Sequence, residues 1–179
     1  MRSNSISRLY LQCDPDEDIN NWPDDKIWDE MRRRIGGETA ASLKTGRVFE
    51  KGVTAMRSFV TEPMQFGRLF LAGDGAHIVP PTGAKGMNLA IADVLFFSRA
   101  VDAFYKNKST NLLDGYTKQC LSRIWKAQRF SYFMTTMLHL NPDDNAFDRR
   151  RQLAELDYVT SSKAASTALA ENYVGLPID

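Results

Sequence analysis

The sequence predicts an α/β protein, on three observations. Short runs rich in β-branched and aromatic residues fall within the first 73 positions. One of them, Arg68–Gly73, is a continuous apolar run that suits a strand covered on both faces, as in a parallel sheet. Beyond it, apolar residues recur at helical spacing through most of the chain.

Taken in order, Arg8 to Cys13 alternates, with Arg8, Tyr10 and Gln12 on one face and Leu9, Leu11 and Cys13 on the other, which predicts a strand. Asp14-Pro15-Asp16 breaks it. A helix follows through Ile27, Trp28, Met31 and Ile35, with Asp24 or Asp25 as its expected cap and Gly36-Gly37 as its end. A short helix is expected near Glu38–Leu43. Val48 to Thr61 reads as a longer strand region, with Arg57 interrupting a mostly apolar face. Pro63 and Gly67 mark a turn before the apolar run. After Pro80-Pro81-Thr82-Gly83 a long helix begins, with Met87, Ala90, Ile91, Val94 and Leu95 as its apolar stripe. Further helices are expected over about 112–140, 143–156 and 161–170. Residues 171–177 are expected to be irregular.

Composition narrows the function classes. The 179 residues are 43% hydrophobic and 25% charged, with net charge +1, so neither a nucleic-acid surface nor an acidic tail is indicated. No apolar run approaches the roughly 18 residues of a membrane span, and no signal-peptide core opens the chain. Cys13 and Cys120 form no CxxC, and the only histidines are His77 and His139, so free thiols, a cytoplasmic location and no metal are expected.

The chemistry concentrates in Leu71–Asn88. Asp74 lies just past the C-terminal end of the expected strand, where ligands dock in open α/β sheets. A carboxylate there can accept from a sugar or polyol hydroxyl. Gly83 and Gly86 bare the backbone where the helix starts, so free N–H groups and the positive end of the dipole meet an anionic group. By residue type alone, Gly73-Asp74 is equally a turn and the glycines equally caps.

The whole string is more specific. GDGAHIVPPTGAKGMNLA resembles the second flavin-contacting motif of the class A flavoprotein monooxygenases, FAD-dependent aromatic hydroxylases, and most of all the branch acting on 4-hydroxybenzoate. RSFVTEPMQFGRLFLAGD before it, CLSRIWKAQRFSYFMTTMLH after it and AENYVGLP at the end resemble the same family in the same order. The resemblance implies a partial hydroxylase fold. Residues 1–67 would belong to the substrate-domain β-sheet. Residues 68–107 would supply an FAD-domain strand, the Gly-Asp loop and a helix, and residues 108–179 a helical, interface-forming region. It also implies conversion of 4-hydroxybenzoate to 3,4-dihydroxybenzoate using FAD, NADPH or NADH, and O2, in a homodimer. The family's GxGxxG and its middle Asp-Gly motif are not in this sequence. The chain is therefore expected to be the C-terminal half of such an enzyme, inactive by itself. The alternatives are a non-catalytic FAD- or partner-binding module, or a hydroxylase of another phenolic acid.

Site residues follow from the resemblance. Asp74 would bond the FAD ribitol, and Gly83, Ala84, Lys85, Gly86, Met87 and Asn88 would lie along the flavin ring, with methionine at 87 where the family usually has leucine. The Pro81 carbonyl would accept from the phenol hydroxyl. Arg2 and Tyr10 match positions that bind the substrate carboxylate. Tyr173 matches a tyrosine of the relay that removes the phenol proton. Arg57 matches an arginine that binds the nicotinamide nucleotide, although a structural salt bridge is the competing reading. Arg8 would act electrostatically near the flavin. His77 is expected to be a packed loop histidine, and Trp125, Phe130, Tyr132 and Phe133 to be core or subunit interface.

Overall fold

A computed structural model describes residues 3–175, 177 and 178. The chain divides into two compact units, Met1–Met56 and Arg57–Asp179.

The first unit is built on helices α1 (Asp24–Ile35) and α2 (Gly37–Ser42). Gly36, at φ 68°, ends α1 where the sequence places its stop. The expected aspartate cap is not formed. Pro23 holds the cap position, and the Asp24 carboxylate instead accepts from the Val48 amide at 3.2 Å. The Lys51 ammonium donates to the Trp22 carbonyl at 2.7 Å and the Trp28 indole to the Gly46 carbonyl at 3.1 Å. These contacts lay the segment after α2 back along α1. Asp24 and Asp25 at the start of α1 and Arg32, Arg33 and Arg34 at its end complement the dipole.

Two strand expectations fail. The alternating stretch Arg8–Cys13 carries no strand, and the region Val48–Thr61 keeps only Phe59–Val60. A strand exists only where a neighbour accepts its ladder hydrogen bonds. Alternation records which face would be buried, and within this chain those segments find no partner strand.

The second unit holds β1 (Phe59–Val60), β2 (Gln65–Phe66), β3 (Leu69–Phe70), β4 (His77–Ile78) and helices α3 (Gly86–Asn107), α4 (Asn111–Asp114), α5 (Tyr116–Leu138), α6 (Ala146–Ser161) and α7 (Lys163–Val174). β1 pairs antiparallel with β4, Val60 opposite His77. β2 and β3 form a hairpin around Gly67 at φ 59°, Phe66 opposite Leu69. The apolar run Arg68–Gly73 is thus one arm of an antiparallel hairpin instead of a parallel strand covered on both faces. Phe70 points inward onto Phe97 and Tyr116, with ring centroids at 5.0 and 5.5 Å. Leu69 is 60% exposed.

The long helix after Gly83 is present as α3, but its buried face differs from the expected one. Leu89, Ala92, Phe96 and Ala100 point into the core, while Met87, Ile91 and Val94 are exposed. α3 is apolar on two sides, and the side facing α5 and the Gly73–Gly75 turn is the one covered within this chain. The helical region expected over 112–140 is broken at Gly115 into α4 and α5. α6 is capped by the Asn145 side chain, which accepts from Phe147 N at 2.8 Å and Asp148 N at 3.2 Å. α7, capped by Ser162, runs through Val174, so Glu171–Val174 is helical where irregular chain was expected.

One core gathers Met64, Ala76, Val79, Leu89, Ala92, Phe96, Tyr116, Cys120 and Ile124. Another, made by α5, α6 and α7, centres on Phe130, Met134, Met137 and Val159. Each large apolar side chain so buried contributes roughly 1.5–3 kcal/mol. Among the described residues no helix is long and apolar enough to cross a membrane.

Candidate functional site: the Gly73–Asn88 loop and the start of helix α3

Chain direction builds the site. β3 delivers the backbone to Ala72, which is extended, and residues Gly73–Gly75 then close a single 3-10 turn. Gly73 takes φ 60°, a left-handed conformation that glycine adopts without strain. Asp74, in the middle of the turn, is exposed. β4 follows, and a second 3-10 turn, Pro81–Gly83, leads into α3.

The second turn sits hard against α5. A Cβ added to Gly83 would lie 3.2 Å from both Cα and Cβ of Ser131, so no larger residue fits without movement. The Thr135 hydroxyl donates to the Thr82 hydroxyl at 3.0 Å, and the Gln128 side chain donates to the Ile78 carbonyl at 2.7 Å. Ala84 is left-handed, at φ 52°. α3 then begins at Gly86 with no side-chain cap and no acidic residue in its first turn. The amides of Gly86, Met87 and Asn88 have no carbonyl one turn back to bond, so they remain available to an acceptor brought from outside. Met87 and Asn88 are exposed and Gly86 is half-buried.

Lys85 is the cation of the site. It is 8% exposed, and its Nζ donates to the Tyr173 carbonyl at 2.5 Å. The ammonium lies 5.3 Å from the Phe130 ring centre and 5.7 Å from that of Tyr173. Burial pushes its pKa below the usual lysine value.

The structure therefore brings Lys85 and Tyr173 together, with Gly83, Ala84, Gly86, Met87 and Asn88 in one continuous loop and helix start. Tyr173 is half-exposed, packs edge-on against Phe130 at 6.1 Å and also lines an open apolar groove with Met134, Val159 and Leu169. Pro81 is exposed and its carbonyl accepts from Ala84 N at 2.9 Å, leaving its second lone pair free in direction. Arg57 is exposed on irregular chain at the start of the second unit. Tyr10, in the first unit, is 73% exposed, with the Arg8 guanidinium 5.0 Å from its ring centre. Arg2 lies outside the described residues. Of the aromatic residues on α5, Phe130 is buried and Phe133 half-buried, whereas Trp125 and Tyr132 stay exposed.

One residue escaped the sequence reading. Asp93 is buried at 1% exposure inside α3, where its carboxylate meets both His77 and the Gly73 amide. Its signal was present: a single acid within the otherwise apolar stretch Leu89–Phe97. His77 is packed, as expected, but it is packed against that acid.

These residues suit a flavin. An uncapped first turn with bare amides, a buried ammonium beside it and an exposed carboxylate on the preceding turn match an anionic ring edge and a polyol chain. Among the described residues, no cluster of His, Cys, Asp and Glu is arranged to hold a metal ion.

Comparisons with known proteins agree. Residues 1–131 match the model of an FAD binding domain family. The chain is 50% identical, over all 179 residues, to p-hydroxybenzoate hydroxylase of Acinetobacter baylyi, and covers 44% of that protein. It is 33% identical over 110 residues to aklavinone 12-hydroxylase of Streptomyces purpurascens, covering 20% of it. The crystal structure of p-nitrophenol 4-monooxygenase from Pseudomonas putida superposes on 64% of this chain and 29% of that one, with a TM-score of 0.50 at 23% identity, a likeness of fold. The chain belongs to the FAD-dependent aromatic hydroxylases, the class A flavoprotein monooxygenases, and contains part of their FAD binding domain.

Proposed function

We propose that this chain forms part of a monooxygenase that hydroxylates 4-hydroxybenzoate next to its phenol group, giving 3,4-dihydroxybenzoate with FAD, NADPH or NADH, and O2. The observation that carries the reading is the 50% identity to p-hydroxybenzoate hydroxylase sustained over every residue of the chain. FAD, reduced by the nicotinamide nucleotide, would supply the oxygen chemistry.

The chain's own residues would do the binding and the proton handling. Asp74 accepts a hydrogen bond from the cofactor's ribityl chain. The amides from Gly83 to Asn88 face the ring edge where negative charge develops, and Lys85 adds positive potential behind them. Arg57 serves the nicotinamide nucleotide. Arg2 and Tyr10 hold the substrate carboxylate, a pairing that an arginine fork and a phenol donor make directional. The Pro81 carbonyl accepts from the phenol hydroxyl, orienting its proton toward a relay that includes Tyr173. Removing that proton raises electron density on the adjacent ring carbon, which is what an electrophilic oxygen donor requires. On this reading residues 1–67 serve substrate, 68–107 serve FAD, and 108–179 brace the site and meet a second copy.

A hybrid tests the reading. The chain replaces the matching 44% of the Acinetobacter protein, and the product is assayed with FAD, NADPH or NADH and a panel of phenolic acids. Formation of 3,4-dihydroxybenzoate from 4-hydroxybenzoate is expected. A hybrid that folds and retains FAD but hydroxylates only other phenols would refute the substrate, and one that folds without FAD would refute the site.

A further inference from the structure

Asp93 stands on the core-facing side of α3, between Leu89 and Phe96, at 1% exposure. A carboxylate that deep persists only where donors surround it. The Gly73 amide donates to its Oδ2 at 2.9 Å. His77 Nε2 lies 2.7 Å from the same oxygen, and His77 is also 1% exposed. The Cys120 thiol on α5 is its third neighbour.

Two of those neighbours bracket Asp74. Gly73 precedes it and His77 opens β4 just after it, so one buried oxygen ties both ends of the turn to α3. The turn is closed internally by Ala76 N on the Gly73 carbonyl at 2.8 Å. Thr61 N on the Ala76 carbonyl, also at 2.8 Å, adds a hold from β1. The Gly73–Asp93 bond also explains the left-handed backbone at Gly73. Only with φ positive does its N–H turn back toward the helix while the chain continues outward to Asp74.

We propose that Asp93 is the positioning residue of the cofactor site: from inside α3 its carboxylate, with His77, holds the Gly73–Asp74–Gly75 turn so that Asp74 faces outward to the cofactor hydroxyl. The purpose assigned to the turn rests on the reading above; the hold itself does not. Asp93 touches no cofactor and acts through Gly73 and His77.

Amide hydrogen exchange on the full 179-residue chain is the decisive measurement. In the native chain the Gly73 amide exchanges as slowly as the core of α3. Asp93→Leu speeds exchange across residues 73–77 by about tenfold or more, as loss of a buried charged acceptor should, while α5 keeps its protection. Asp93→Asn, which retains an oxygen acceptor, restores most of that protection. Asp74→Asn leaves exchange unchanged. A freely exchanging Gly73 amide in the native chain overturns the proposal, and that result needs no variant to fold. Equal loosening of the turn, α3 and α5 by Asp93→Leu, or no rescue by Asp93→Asn, also overturns it, since a merely structural acid would behave so. In the hybrid enzyme, Asp93→Leu weakens FAD retention about as much as Asp74→Asn does, and undiminished retention would contradict the proposal. A native hybrid that folds without FAD sinks the cofactor reading alone, and the exchange data still judge Asp93.

Discussion

The ammonium of Lys85 lies 2.5 Å from the carbonyl oxygen of Tyr173, across 88 residues of sequence. This bond joins the first residue before α3 to the last turn of α7, the two places where the resemblance puts flavin contacts and the proton relay. It also satisfies a carbonyl that α7 leaves open at its C-terminal end.

Lys85→Met should therefore free the end of α7 before it disturbs anything else. Loss of a charged donor to a buried carbonyl costs about 1.5–3 kcal/mol. Urea unfolding should show a lower midpoint with an unchanged slope, and amide exchange should rise first over Glu171–Gly175. A variant as stable as the native chain would show that the bond contributes nothing.

Gly83→Ala should destabilise by about 1–3 kcal/mol, because the new methyl meets the Ser131 backbone across a packed interface. Ser131→Gly combined with it should recover part of the loss, since only some of the crowding comes from the serine side chain. A double-mutant cycle on thermal unfolding measures the coupling, and strictly additive effects would remove the contact from the explanation.

The two faces of α3 should respond differently. Phe96→Ala, inside the core, should cost about 3–5 kcal/mol. Ile91→Ser, on the exposed apolar side, should stay within about 0.5 kcal/mol in this chain. Comparable losses at both positions in denaturant unfolding would mean that the outer face is covered after all.

Cys120 sets an alkaline limit. Burial first, and then the nearby Asp93 carboxylate, push its thiol from 9.0 to about 12. Burial also raises the Tyr116 phenol beside it. In the unfolded chain the thiol ionises near its ordinary value, while the folded chain keeps the proton. The unfolded state thus binds fewer protons above that value, and stability falls as pH rises from about 9 toward 12. Unfolding midpoints measured from pH 8 to 11 should decline, and less steeply in Cys120→Ala. At pH 8 a thiol reagent should label half-buried Cys13 and spare Cys120 until the chain unfolds.

Helix content was readable from residue order because helices satisfy their hydrogen bonds internally. Helical spacing through Ile27–Ile35, Met87–Leu95 and Tyr116–Leu138 needed no distant partner to be correct, and Gly36 and Gly115 mark breaks in the places where glycine stands. The Gly73–Asn88 loop was likewise legible, since its glycines, prolines and aspartate encode local turns. Strands were not readable in this way. Arg8–Cys13 and Val48–Thr61 have the alternation of strands, yet a ladder depends on what lies alongside, and that is a property of the folded chain.

By itself the sequence determined the family, the helices and the stretch that meets the cofactor, all of which follow from local patterns and motif order. Tertiary structure alone decided which side of α3 is buried, because both sides are apolar and only packing against α5 chooses between them. It also decided that Asp93, His77 and Gly73 converge on one oxygen. Residues 73, 77 and 93 carry no local periodicity that links them. They meet because the hairpin, β4 and α3 fold around a common core, where a buried charge must find its donors.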